Sequence, residues 1–141
     1  MSSFTVHNNA PVWIQIPAFD VPRATGFYKS ALSFHIRAFE PGKSDSADVA
    51  HFSFPDTPFQ NILTGGIMKR KPEHSTPDPR ETGPAVLYFY VENLEETIAK
   101  VIEAGGKQLT GRTPEGKSAW YMDFRDTEGN FYGIYSMNDK K

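Results

Sequence analysis

The spacing of apolar residues changes character along the chain, and each change marks an element. Pro11-Val-Trp-Ile-Gln-Ile-Pro17 alternates, with Trp13 and Gln15 on one side and Ile14 and Ile16 on the other. It predicts a short strand bracketed by prolines. From Asp20 the period lengthens: Ala24, Phe27, Tyr28, Ala31 and Leu32 fall on one helical stripe. Asp20 suits the N-cap and Pro22 the first turn. Alternation returns over Phe34–Phe39, Val49–Phe54 and Asn61–Met68, which predict three strands. The pair Gly65-Gly66 inside the last of these points to a bulge or a close approach by another group.

The second half repeats this plan. Pro84–Val91 is a strongly apolar strand, and Asn93-Leu-Glu-Glu96 is a capping box. Leu94, Ile98, Val101 and Ile102 form the expected helix stripe, closed by Gly105. Lys107–Arg112 reads as a strand and Thr113–Lys117 as a turn. Ala119–Arg125 and Asn130–Met137 read as the last two strands, joined through Asp126-Thr-Glu-Gly-Asn130. An offset of about 72 residues superposes the two halves. The expected architecture is α+β: two paired βαβββ modules forming a sheet-lined cleft, with the helices outside. Residues 1–10 are a loose N-terminus, 11–70 module one, 71–83 a proline-rich linker and 84–137 module two.

Composition narrows the function. Net charge is −2, which steers the protein neither to nucleic acid nor to an anionic membrane. There is no cysteine, so thiolate chemistry, disulfides and Cys-ligated metals are excluded. The longest apolar run, Ala85–Val91, is too short to span a bilayer, and the first residues lack the apolar core of a signal peptide. A cytoplasmic protein is expected. Eleven Phe and six Tyr are enough to line a pocket as well as a core.

Several pieces in the right order resemble the vicinal oxygen chelate superfamily, which includes glyoxalase I, bleomycin- and fosfomycin-resistance proteins and extradiol dioxygenases. They are Ile16-Pro-Ala-Phe-Asp20, Arg23-Ala24 with Phe27-Tyr28, Val91 into Leu94, Ala104-Gly-Gly106, Asp126-Thr-Glu-Gly-Asn130 and Gly133-Ile-Tyr135. The small glyoxalase-like subgroup is the nearest look, and the resemblance covers residues 11–137. It implies a cleft holding a divalent metal, with ligands from the first and last strand of each module. Carried over by position, those ligands fall on Trp13, Val86 and Gly133, and Asn61–Met68 offers no His, Asp or Glu for the remaining one. None of the three is a metal ligand. No cofactor and no metal are therefore expected, and glyoxalase I or dioxygenase activity is not.

By alternation the same face carries Trp13, Gln15, Val86, Tyr88, Tyr90, Phe131, Gly133 and Tyr135, a lining of rings with polar tips. It suits a small aromatic or conjugated organic molecule, with Gly133 leaving it room. If the protein acts on that molecule, acid–base chemistry by His51, Gln15 or Asp123 is the expectation, an isomerisation or elimination. The alternatives are a metal-dependent lyase or dioxygenase with displaced ligands (His51, Gln15 and Glu128), a resistance-type sequestering protein, and a structural dimer. His51 and Asp123 each have an ordinary structural role open to them, as a strand histidine and as a surface carboxylate beside the turn. His7 and His74 read as solvated. A homodimer is expected from the sheet edges of two small modules.

Overall fold

Each module begins with a strand that feeds a capped helix. In the computed structural model, which describes residues 8–37, 49–58, 60, 62–70 and 85–137, module one comprises β1 (Trp13–Ala18), α1 (Val21–Leu32), β2 (His35–Ile36), β3 (Val49–Ser53) and β4 (Thr64–Lys69). Module two comprises β5 (Tyr88–Tyr90), α2 (Leu94–Glu103), β6 (Lys107–Gln108), β7 (Thr113–Glu115), β8 (Ala119–Arg125) and β9 (Phe131–Met137). The caps are those the sequence predicts. Asp20 accepts from the Arg23 amide at 3.0 Å, and Asn93 accepts from the Glu96 amide at 2.9 Å. Gly105 closes α2 at φ 105°.

The sheets repeat one topology. Sheet A has order β1-β4-β3-β2 and sheet B β5-β9-β8-β6, with β7 on β8. The first strand of each module lies parallel to its last, and the other pairs are antiparallel. This is the paired βαβββ architecture. Its elements are trimmed against expectation. β5 is only three residues long, because its ladder with β9 opens at the Gly133 amide on the Leu87 carbonyl and closes at the Val91 amide on Tyr135. Thr113–Glu115, expected as a turn, pairs with β8, and the reversal falls later, where Gly116 takes φ 70°. Gly65 and Gly66 form no bulge. Their ladder is regular, and a Cβ on Gly65 would strike the Ile14 carbonyl and the Phe52 ring. The expected linker, the loop before β3, and the readings of His7 and His74 lie outside the described residues.

The helices, expected outside, pack against each other. One core joins the modules: Ile16, Phe27, Tyr28 and Ile67 from the first, Leu94, Val101, Phe124 and Ile134 from the second. Phe27 meets Phe124 at 6.1 Å and Phe34 meets Phe89 at 5.5 Å across the divide. Ile102, expected in the stripe, is half exposed, since it sits beyond the Leu94–Ile98–Val101 line that faces the core. Each sheet thus keeps one face that no helix among the described residues covers. No helix among the described residues is long and apolar enough to cross a membrane.

The turn between β8 and β9 fastens module two to module one. Asp126 is buried and accepts from Tyr28 Oη at 2.5 Å and from the Glu128 and Asn130 amides at 2.8 and 2.9 Å. Asn130 Nδ2 donates to Asp126 and, at 2.7 Å, to the Pro17 carbonyl. Glu128 accepts from the Phe19 and Asp20 amides, from Arg23 Nε at 2.7 Å and Nη2 at 2.9 Å, and from Thr127 Oγ1. Burial alone would push the Glu128 carboxyl up; the bonds from Arg23, the Asp20 amide and Thr127, with the Arg23 charge, outweigh it and hold the carboxyl below its usual range. At Asp126 burial wins, and the carboxyl is held above its usual range despite its donors.

Glu128→Gln removes a carboxylate bonded at both oxygens and should destabilise the fold by about 2 kcal/mol at neutral pH. Because the folded-state pKa of Glu128 is lowered, its contribution is present above the unfolded pKa and is lost as pH falls through the folded one. Denaturant titrations of both proteins should therefore converge below the ordinary carboxylate range. A gap that stays constant into acid would mean that Glu128 acts there by shape alone.

Candidate functional site

The helix-free faces carry the expected site residues, and strand register arranges them twice in the same way. On sheet A, Gln15 and His51 flank Gly66 from either side. On sheet B, Tyr88 and Asp123 flank Gly133. The single offset of 72 residues read from the sequence holds from His51 to Asp123. It becomes 73 from Gln15 to Tyr88 and from cap Asp20 to cap Asn93, and 67 from Gly66 to Gly133.

Each glycine is roofed by a ring that reaches a titratable side chain. A Cβ on Gly66 would lie 3.0 Å from Trp13 Cζ2, and the same indole meets the His51 ring edge-on at 6.1 Å. A Cβ on Gly133 would overlap the Tyr88 ring, with Cζ at 2.9 Å. The Tyr88 hydroxyl continues past the glycine and donates to Asp123 Oδ1 at 2.6 Å. Tyr121 stands edge-on to Tyr88 at 5.6 Å. The room that Gly133 leaves, expected for a ligand, is therefore taken by Tyr88. Asp123, whose ordinary reading was a surface carboxylate, is only 2% exposed.

The other expected residues divide. Trp13, Gln15, His51, Tyr88 and Tyr90 are exposed on these faces, and Tyr90 is the most open of the rings at 61%. Val86 is half-buried just before β5. Tyr135 is half-buried and donates to Glu115 at 2.9 Å, a bond that raises its phenol above the usual range. Phe131 does not line an open face. It is buried, with the Arg125 guanidinium 5.6 Å from its ring centre. Glu128, needed for a displaced metal site, is committed to the turn between the modules. Next to His51, a cavity of about 330 Å³ is lined by His35, Arg37, Ser53 and Thr64 among others. Arg37, Tyr121 and the role of Gly66 were not read from the sequence. For Gly66 the signal was its equivalence to Gly133, which a loop of unequal length hides.

The matches to known proteins agree on the class. The family model for the Glyoxalase/Bleomycin resistance protein/Dioxygenase superfamily matches residues 10–132. A glyoxylase-like domain-containing protein of Didymella fabae is 31% identical over 128 residues, 90% of this chain and 93% of that protein. A glyoxalase/bleomycin resistance protein/dioxygenase family enzyme from Burkholderia phytofirmans PsJN superposes with a TM-score of 0.68 at 13% identity, covering 91% of this chain and 99% of its own. The corresponding domain from Frankia sp. EAN1pec gives 0.65 at 17% identity, covering 99% and 96%. The chain belongs to the Glyoxalase/Bleomycin resistance protein/Dioxygenase superfamily.

The metal that the fold family implies does not fit the residues present. The positions assigned to ligands hold an indole, an isopropyl group and a glycine under a tyrosine ring. Among the described residues no three His, Cys, Asp or Glu side chains form a group that could hold a metal ion.

Gly133→Ala should cost about 1–3 kcal/mol, because the methyl group and the Tyr88 ring cannot share the space. In a Tyr88→Ala background the same change should be nearly neutral. A double-mutant cycle in urea measures the coupling, and additive costs would show that the ring does not rest on the glycine.

Proposed function

We propose that this protein binds a small aromatic or conjugated organic molecule on its helix-free sheet faces, without a metal of its own. The observation that carries the reading is the ring laid over a glycine beside a polar group, present once on each sheet. A ring held this way offers a flat face for stacking at small entropic cost, and the adjacent side chain fixes orientation. On sheet A that group is Gln15 or His51. On sheet B it is the Tyr88 hydroxyl, which donates to Asp123 and is thereby held in one direction beside the ring.

Binding is favoured over turnover by the state of Asp123. It is buried and already accepts the Tyr88 proton, which suits an orienting group rather than a base. His51, exposed at the edge of Trp13, is the side chain placed to move a proton if the ligand is transformed. The naming of relatives after bleomycin resistance fits a sequestering role. We propose further that a cytoplasmic homodimer sets the ring face of one copy over that of another, since Trp13, Tyr88 and Tyr90 are exposed among the described residues.

Titration of the tryptophan fluorescence with planar aromatic compounds tests this. Saturable quenching should persist unchanged in excess chelator and weaken about tenfold in Trp13→Ala, the loss expected for one stacking ring. Near-stoichiometric metal that survives desalting, with binding abolished by chelator, would overturn the reading.

A further inference from the structure

The two modules are not fastened alike at their two junctions. At the first, the five residues 126–130 seat on the start of α1 through Asp126, Glu128 and Asn130. At the second, the equivalent connection between β3 and β4 runs for ten residues, 54–63. Register places Phe54 where module two has Asp126, because Ser53 pairs with His35 as Arg125 pairs with Lys107. Aligning the helix caps places Val101 where module one has Tyr28, and Glu96 where it has Arg23. Neither the tyrosine–aspartate bond nor the arginine–glutamate pair has a counterpart.

A cavity of about 930 Å³ opens at this second junction. Its apolar walls include Phe34, Phe54, Leu63, Leu87 and Phe89, all but Phe34 half-buried rather than sealed. Two residues of α2 complete it, Thr97 and Lys100. By the cap alignment they stand where α1 has Ala24 and Phe27, and Phe27 closes the first junction by packing on Phe124. The chain thus sets a cation where its own repeat sets a sealing ring. No ion pair joins Lys100 to another of the described residues. Asp56 lines the same cavity from the loop side.

We propose that this junction is a second small-molecule site, distinct from the Trp13 face of sheet A and adjoining the ring face of sheet B at Tyr88 and Tyr90, for an aromatic molecule bearing one acidic group. The rings take the apolar body, Lys100 pairs with the anion, and Asp56 accepts from a donor at the other end while repelling a second anion. The volume suits a ligand of two or three fused or linked rings.

The probe is 8-anilinonaphthalene-1-sulfonate, which carries an anion, an N–H donor and an aromatic body. Its fluorescence should rise saturably with the folded wild-type protein. Lys100→Glu, a change at an exposed side chain, should weaken binding at least about tenfold with circular dichroism unchanged, and Lys100→Arg should restore most of it. Trp13→Ala should leave it unaffected. Absence of saturable binding to wild type, equal binding by Lys100→Glu, or loss of binding in Trp13→Ala would each overturn the proposal. The last result would place the probe on the Trp13 face of sheet A instead.

Discussion

The arrangement of the whole molecule hangs on a five-residue turn. A βαβββ module is too small to bury both faces of its helix against its own sheet, so it needs the other module. The turn from Asp126 to Asn130 provides the orientation. It meets the backbone of the other module at three places: the Pro17 carbonyl, the Phe19 amide and the Asp20 amide. The last two amides would otherwise be orphans at the start of α1. Their acceptor is a buried carboxylate, neutralised by an arginine whose own side chain stays half exposed. Such a bond is directional, whereas the ring contacts of the shared core are not. The rings supply the driving force for the modules to meet, and the turn selects one relative pose.

Once that pose is fixed, its consequences run outward. The helices are held against each other, so neither can cover the second face of its sheet. No other described element packs over those faces. Their chemistry matches that position: glycines in central strands, rings laid flat over them, and a polar group within reach of each ring. A glycine in a strand interior weakens it unless something packs into the space. Here Trp13 and Tyr88 do so, which explains why these exposed rings sit where they do.

Much of this was open to reading because it depends on local physics. Helix caps, the apolar stripe of α1 and the β8–β9 hairpin are written in short-range patterns, and all appear as expected. What escaped depends on partners distant in sequence. Nothing near Tyr88 announces that its ring will cross Gly133 to reach Asp123, 35 residues away. Helix position failed for a related reason. An amphipathic stripe says that one side is buried, but not whether sheet, helix or both do the burying. Strand ends were overdrawn because an apolar run continues past the last ladder bond, as at residues 85–87. Asp123 was misjudged because a carboxylate next to a turn is usually solvated, and the hydrogen bond from the Tyr88 hydroxyl helps to make its burial tolerable.

The two junctions show how a duplicated module can diverge without losing its fold. Only one firm dock is needed to set the pose; the second position is then released from that duty. At the first junction the carboxylate oxygens of Asp126 and Glu128 are all bonded, so Tyr28, Arg23, Asp126 and Glu128 can change only together. At the second, the positions of Tyr28, Asp126 and Arg23 hold Val101, Phe54 and Glu96, and the loop has doubled in length. Loop length is a mild entropic burden, growing only with its logarithm, so such an insertion is tolerated where no dock depends on it. The open cavity is thus what the fold leaves when one of two equivalent contacts carries the structural load. The lysine lining it stands in a place where the fold itself favours a ring.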